Sequence, residues 1–448
     1  MSNPPPKKRR THYYSQDVDF EALAKVDPDF AALSATGKRE GWIDFHDPEV
    51  VQTLTKTLLK HDFGLTLSLP DDRLCPPVPV RWNYVRWIQD LLDTTYDSYT
   101  DYYDEEREVV GLDIGVGASC IYALLACSSR PEWRMAGTDI DAHSLEHAKR
   151  NVKSNDLAER IRLKQTKSTA PLIPLDEMGV EELDFIMTNP PFYSSEQDFL
   201  NSYKDPGKPT GEAPSAVCVG SKNEMICSDG DVGFVTRILG ESLKLRARVQ
   251  WYTAFLSKMS SLQQIVAKLK ENGIENFAVT SLHPGHRTKR YAVAWSFRDL
   301  RPRNDVARHG DLVLQVLPMA TANTIKVEGK KTRALGEAVN EAIEAYEGVK
   351  WVWRPLLDAG VMQCKEDVWS GKARRKRKQK EKLASLGKDT EVEPSPNGDV
   401  EGDENEVGLA VKVSCKDQEV EVRWLRGHDQ ILFNSFCAVL RRALTGLR

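Results

Sequence analysis

The chain has 448 residues, a formal net charge of −4, 40% apolar and 29% charged residues, enough for two or three domains of ordinary globular composition. No apolar run approaches the roughly 20 residues that a membrane-spanning helix needs, and the amino terminus is polar and basic, so neither membrane insertion nor secretion is expected. The eight cysteines (Cys75, Cys120, Cys127, Cys218, Cys227, Cys364, Cys415, Cys437) form no C-x-x-C pair, which predicts reduced thiols in an intracellular protein and no metal site.

Residues 1–16 read as a disordered tail carrying Lys7-Lys8-Arg9-Arg10. Such a basic tetrad serves as a nuclear-import signal, a nucleic-acid contact or a solvated tail. Residues 17–100 read as mostly helical. Asp47-Pro48-Glu49 has the composition of a helix start, and Val50-Val51, Leu54 and Leu58-Leu59 follow at helical spacing. Phe63 to Leu69 alternates like a short strand. A further helix opens at Val80 and carries Arg81-Trp82-Asn83-Tyr84, either a packed face or a ligand surface.

Val109 to Ile114 predicts a buried strand entering Gly115-Val116-Gly117-Ala118-Ser119, with a helix from Ile121. Strand, D-x-G-x-G, helix is a nucleotide-type ligand turn, because glycine lets a ligand approach the backbone closely. Cys120 stands where a third glycine would be, so a ligand without phosphate is favoured over a pyrophosphate. Arg134 to Asp141 predicts a second strand; Asp139 lies 26 residues after Asp113, near the spacing at which an acid meets ribose hydroxyls. Arg160 to Gln165 is a third strand and Leu183 to Thr188 a fourth, stopped by Asn189-Pro190-Pro191-Phe192. A carboxamide oxygen and the Pro190 carbonyl at a strand's carboxyl end can accept from an exocyclic NH₂, and Phe192 offers a face for stacking. The competing reading is a strand with a proline turn.

Residues 193–232 read as a lid. A basic helix follows from Phe234 to Arg248, a fifth strand from Gln250 to Leu256 and a helix from Met259 to Lys270. Strands Phe277–Leu282 and Arg290–Phe297 flank a basic loop, His283 to Arg290, able to touch phosphates or to be a plain hairpin tip. Around 300–310 the composition turns to that of a linker. Leu312–Leu317, a helix over 331–346 and Val349–Arg354 predict β-α-β. Lys372 to Lys382 is basic and Asp389 to Glu406 acidic, opposed blocks that read as a disordered insertion over about 371–407. Strands 409–415 and 419–425 and a helix over 431–444 complete a small α+β domain.

These motifs, in this order, resemble class I S-adenosylmethionine-dependent methyltransferases acting on exocyclic amines. Gly115 to Tyr122, Asn189 to Phe192, Arg81 to Tyr84 and Arg290 to Phe297 narrow the resemblance to the METTL16 / RlmF family of RNA adenosine N6-methyltransferases, over roughly residues 12–300. The resemblance implies an α/β fold: a Rossmann-like seven-stranded sheet, a helical RNA-binding extension over 17–100, a catalytic domain over 101–300 and a C-terminal α+β domain over 301–448. It implies S-adenosylmethionine as cofactor, held by Arg81 (on its carboxylate), Asp113, Gly115, Gly117, Ser119, Asp139 (on the ribose) and Asn189. Asn189, Pro190, Pro191 and Phe192 would be catalytic. Lys7, Lys8, Arg9, Arg10, Arg287, Lys289 and Arg290 would meet RNA backbone. The eukaryotic, nuclear type is favoured, with U6 small nuclear RNA as partner. A ribosomal RNA adenine N6-methyltransferase, a protein glutamine methyltransferase and an inactive RNA-binding protein are the alternatives.

Overall fold

The computed structural model describes residues 12–34, 45, 47–198, 221–283, 289–385 and 407–446. They fall into two compact units. One comprises the chain up to Asp93, Tyr102–Arg298 and Asp305–Pro318; the other comprises Thr94–Asp101, Asp299–Asn304 and the chain from Met319.

The first unit is built on a seven-stranded sheet of β1 (Val109–Ile114), β2 (Trp133–Asp139), β3 (Ile161–Gln165), β4 (Leu183–Thr188), β5 (Val249–Leu256), β6 (Phe277–Leu282) and β7 (Arg290–Trp295), in the order β3-β2-β1-β4-β5-β7-β6. β7 runs antiparallel to both of its neighbours, and the pairs from β3 to β5 are parallel. β5 and β6 are buried at every position, as strands covered on both faces must be. Alternate side chains feed two cores. Trp251 and Phe255 enter one with helices α1 (Pro48–Leu58), α2 (Val78–Thr94), α3 (Ile121–Ser129) and α4 (Ala142–Ser154). Tyr252, Ala254 and Leu256 enter the other with α5 (Gly230–Leu245) and α6 (Met259–Glu271).

The amino-terminal segment is therefore part of a layer over this sheet. Trp82, Tyr84 and Trp87 of α2 are fully buried, which decides for the packed face at those aromatics. The tail expected to reach residue 16 is already anchored at His12, whose carbonyl accepts from Trp82 Nε1 at 2.8 Å, and Tyr14 is buried. Residues 1–11 lie outside the described residues.

Three sequence expectations fail for physical reasons. Phe63 to Leu69 does alternate, with Leu65 and Leu67 buried, but it joins no sheet. Its backbone is paired by two side chains of the α4 region: Asn151 takes both backbone groups of Ser68, and Asn155 both groups of Thr66. Residues 300–310 are no loose linker, since Leu300, Arg301, Val306 and Ala307 are buried. Leu312–Leu317 holds a single 3₁₀ turn, with Leu312 and Val316 sealing the second core.

The second unit is an antiparallel sheet of β8 (Ala322–Lys326), β9 (Val349–Arg354), β10 (Ala359–Cys364), β11 (Leu409–Lys416) and β12 (Glu419–Arg426), ordered β8-β12-β11-β10-β9. Its core joins Val411 and Trp424 to α7 (Thr332–Glu344) and to α9 (Gln430–Thr445). Arg423, 3% exposed, pairs with Asp101 and donates to the Thr94 carbonyl at 2.9 Å. That buried cation is why 94–101 belongs here and the expected boundary at 100 does not hold. The insertion expected to be disordered begins with a helix, α8 (Gly371–Ser385), started by the Ser370 hydroxyl accepting from Ala373 N at 3.1 Å. Residues 386–406 lie outside the described residues.

Candidate active site

Sheet register places the site. Ile114 is paired with Thr138 on one side and Thr188 on the other. The next residues are therefore level across three adjacent strands: Gly115 in the centre, Asp139 on one side and Asn189 on the other. Neighbouring strands are about 4.8 Å apart, so a ligand on the glycine turn lies within reach of both acid and carboxamide. The sheet reverses its order of winding between β1 and β4, where ligands of open α/β sheets bind.

On the first side the backbone is shaped for close approach. Gly115 and Val116 N both donate to the Thr138 carbonyl, at 2.8 and 3.0 Å. Gly115 has φ +77° and open space where a Cβ would be; Gly117 has φ +61°. Cys120 adopts φ +52° itself, a left-handed conformation that here begins α3 without glycine. Asp139 accepts from Gly117 N and Asp141 N, each at 2.9 Å. Burial nonetheless raises its pKa above the usual carboxylate range against those bonds. Ser119 is buried beside the turn.

Asp113 is the electrostatic anomaly. It is wholly buried, and neither carboxylate oxygen has a hydrogen-bond partner. Burial, with Asp139 repelling and Arg81 opposing, pushes it up to about 8. An orphaned buried carboxyl is costly, and a cationic ligand group with N–H donors would relieve it.

On the other side, Asn189 Oδ1 accepts from Arg81 Nη1 at 3.0 Å, and the same nitrogen donates to the Tyr122 hydroxyl at 2.9 Å. The guanidinium, 5% exposed, lies over the Phe255 ring at 4.9 Å. Tyr84 and Thr253 hydroxyls bond at 2.6 Å beneath, and Thr253 donates to the Ile186 carbonyl at 2.9 Å. Pro190 is buried, and Pro191 and Phe192 are half-buried, with Phe192 against the first core. An amide oxygen has two lone pairs, so one remains on Asn189.

The ends of the expected lid are stitched together; residues 199–220 lie outside the described residues. Tyr193 N donates to the Met225 carbonyl, and Cys227 N to the Tyr193 carbonyl, both at 3.0 Å. Gly230 has φ +61°, and a Cβ there would meet the Phe192 carbonyl oxygen at 3.0 Å. Glu224 closes the other side: Oε2 accepts from Ser221 N and Leu74 N, and Oε1 faces Gly117, 3.6 Å from its Cβ position. Helix α5 also holds the loop after β3, with Arg237 on the Ser168 and Ala170 carbonyls and Glu241 accepting from Leu172 N and Ile173 N at 2.9 Å.

The profile of a family described as RNA methyltransferase matches residues 2–299. The chain belongs to that RNA methyltransferase family. A U6 small nuclear RNA (adenine-(43)-N(6))-methyltransferase of Schizosaccharomyces pombe is 34% identical over 407 residues, covering 91% of this chain and 96% of that protein. An RNA N(6)-adenosine-methyltransferase METTL16 of Gallus gallus is 32% identical, covering 92% of this chain and 76% of that one. Among solved structures, the human METTL16 catalytic domain in complex with a MAT2A 3′UTR hairpin is 34% identical at TM-score 0.55, covering 63% of this chain and 92% of that one. The amino-terminal domain of human METTL16 in complex with SAH is 32% identical at TM-score 0.52, covering 65% of this chain and 99% of that one.

In this RNA methyltransferase the register thus brings Asp113, Gly115, Gly117, Asp139, Asn189 and Arg81 together, with Ser119 at the start of α3. Of the basic residues, Lys289 and Arg290 stand at the start of β7, where Tyr291 pairs with Leu256 at the carboxyl end of β5, and the others are not described. Lys7 to Arg10 and Arg287 lie outside the described residues. Lys289 Nζ pairs with Asp311 at 3.3 Å, and Arg290 donates to the Lys289 carbonyl at 3.1 Å. Asp311 is a centre that the sequence did not announce. It also accepts from Ser281 at 2.7 Å and meets His283 at 2.8 Å and His309 at 2.6 Å, so one carboxylate holds both roots of the basic loop. Burial pushes Asp311 up, but these bonds together hold it well below the usual range. Tyr122, Glu224 and Glu241 were likewise missed, because each acts through a long-range contact with no local signature.

Proposed function

We propose that this RNA methyltransferase uses S-adenosylmethionine to methylate N6 of an adenosine held out of a structured RNA, with U6 small nuclear RNA the first candidate. The observation that carries the reading is the level row Asp139, Gly115, Asn189, which sets a nucleoside-shaped turn next to an amine acceptor. The residues fit the cofactor: open space before Gly115 at a left-handed φ, an acid bonded to the turn, and the orphaned Asp113. S-adenosylmethionine supplies an electrophilic methyl group on a sulfonium.

Asp113 would take the cofactor's ammonium, and Asp139 its ribose hydroxyls. Arg81 keeps Nη2 and Nε without a partner among the described residues, leaving donors for the cofactor's carboxylate. Asn189 uses its second lone pair, with the Pro190 carbonyl, to accept from the adenine NH₂. That draws the nitrogen lone pair out of conjugation, while Phe192 stacks on the base. Adenine N6 is barely basic, so the acceleration comes from orientation and from acceptors aimed at the amine. The base must leave its stack to enter, as unpaired or bulged adenosines allow.

Nucleoside mass spectrometry of a U6-type hairpin and of total RNA, each incubated with protein and cofactor, tests the reading. N6-methyladenosine is the expected product. Methyl incorporation into RNase-treated extract alone would instead assign a protein acceptor.

A further inference from the structure

Two carboxylates, not one, meet the glycine turn after β1. Asp139 accepts from Gly117 N at 2.9 Å. The other is Glu224, on a short helical turn, Lys222–Met225, far along the chain. Both of its backbone bonds fall on Oε2, which accepts from Ser221 N at 2.7 Å and from Leu74 N at 3.4 Å. Oε1 lies 3.6 Å from the place where a Cβ of Gly117 would be. The same glycine therefore carries one acid on its N–H and the other over its bare Cα.

The two acids are held in one frame. Arg73, 8% exposed, donates from Nε to Ser144 Oγ at 3.1 Å and pairs through Nη2 with Asp141 Oδ2 at 3.5 Å. Asp141 N in turn donates to Asp139 Oδ1 at 2.9 Å. The next residue, Leu74, supplies an N–H that holds Glu224. One loop before α2 thus fixes both carboxylates about Gly117. Burial pushes the Glu224 carboxyl above its usual range, against its backbone bonds. A latch between loops needs only Oε2, and a donor arriving at Oε1 would offset the cost of that burial.

The ribose of a nucleoside cofactor brings two adjacent hydroxyl donors to this turn. Each oxygen of Asp139 already takes one backbone N–H, so each has about half its accepting capacity left. A second acid on the same glycine divides the load. We propose that Glu224 is a further cofactor-binding residue that shares the ribose diol with Asp139, its Oε1 accepting from one of the two hydroxyls. This rests on the S-adenosylmethionine reading of the site, and it adds a reason for the site to select an intact ribose.

Calorimetry of the full chain and of its Glu224→Gln variant with S-adenosylhomocysteine, and with the 2′-deoxy and 3′-deoxy forms of that ligand, tests it. The glutamine amide keeps an oxygen for Ser221 N and Leu74 N, so the latch stays and only the charge facing Gly117 is lost. Glu224→Gln should weaken S-adenosylhomocysteine about tenfold or more, as loss of a charge-assisted hydrogen bond does. Against one deoxy form the substitution should cost nothing further, because that ligand lacks the partner hydroxyl; against the other the loss should persist. An affinity for S-adenosylhomocysteine that the substitution leaves unchanged would overturn the proposal. So would a loss by the same factor for all three ligands, which would make Glu224 a latch alone. Failure of the unaltered protein to bind S-adenosylhomocysteine would sink the cofactor reading itself, and this assignment with it.

Discussion

Arg81 Nη1 lies 3.0 Å from Asn189 Oδ1, so a helix 108 residues upstream orients the carboxamide at the end of β4. The same nitrogen holds Tyr122, and Phe255 supports the guanidinium from one face. A lysine has no planar fork to reproduce this. Arg81→Lys should lower kcat about tenfold to a hundredfold, the worth of a charged hydrogen bond of about 1.5–3 kcal/mol. Steady-state rates at saturating cofactor measure it; an unchanged kcat would show that Asn189 needs no such support.

Asp113 makes cofactor binding pH-dependent. Its carboxyl, pushed up to about 8 by burial, is protonated in the free protein at pH 7 and ionised in the unfolded chain. The folded state thus holds the extra proton between about pH 4 and 8, so this group's contribution to stability falls as pH rises through that window. A bound ammonium favours the carboxylate, so cofactor binding below pH 8 should release a proton and tighten as pH approaches 8. Calorimetry in buffers of different ionisation enthalpy reads the proton directly. Asp113→Asn should abolish the release and weaken binding.

Asn151 joins the Leu65–Leu69 segment to the cofactor turn, because its side chain bonds both backbone groups of Ser68 and also the Ala118 carbonyl at 3.0 Å. Asn151→Ala leaves those groups unpaired in a site where the residue is 1% exposed. Urea unfolding should show a loss of about 2–4 kcal/mol, from desolvated groups that no longer have partners. A loss under about 0.5 kcal/mol, the level of an ordinary surface change, would contradict this role.

What was legible in the sequence is what local pattern controls. β1 and β4 stop before Gly115 and Asn189 as read, because each buried run meets a residue that cannot continue it, whereas β2 stops at Asp139, two residues short of the Asp141 read from the sequence. The alternation at Leu65 and Leu67 was also real, but its pairing partners are side chains of Asn151 and Asn155, which no strand rule finds. β10 was missed because Ala359-Gly360-Val361 looks like a turn; Gly360 is there since any Cβ would strike Trp351. α8 was read as disorder because it has no apolar stripe. The contacts of Asp311 with Ser281, Glu224 with Leu74 and Arg423 with Thr94 span tens to hundreds of residues and left no local trace.

Gly230 is the position where the lid's return meets the NPPF turn. A methyl group there meets the Phe192 carbonyl at 3.0 Å while φ stays at +61°. Gly230→Ala should destabilise the fold by about 1–2 kcal/mol from the left-handed backbone alone. It should also raise the KM for RNA by displacing Phe192, with cofactor affinity little changed. Thermal unfolding and KM measurements separate the two effects.

Single-turnover methyl transfer by Asn189→Ala, with saturating cofactor and a hairpin bearing one unpaired adenosine, tests the amine-acceptor role most directly. Losing acceptors aimed at the reacting group should slow formation of N6-methyladenosine by about 10²- to 10³-fold, while RNA and cofactor affinities stay within a few-fold of the unaltered protein. Transfer at the unaltered rate, or a methyl group found on a ring nitrogen or ribose, would contradict it.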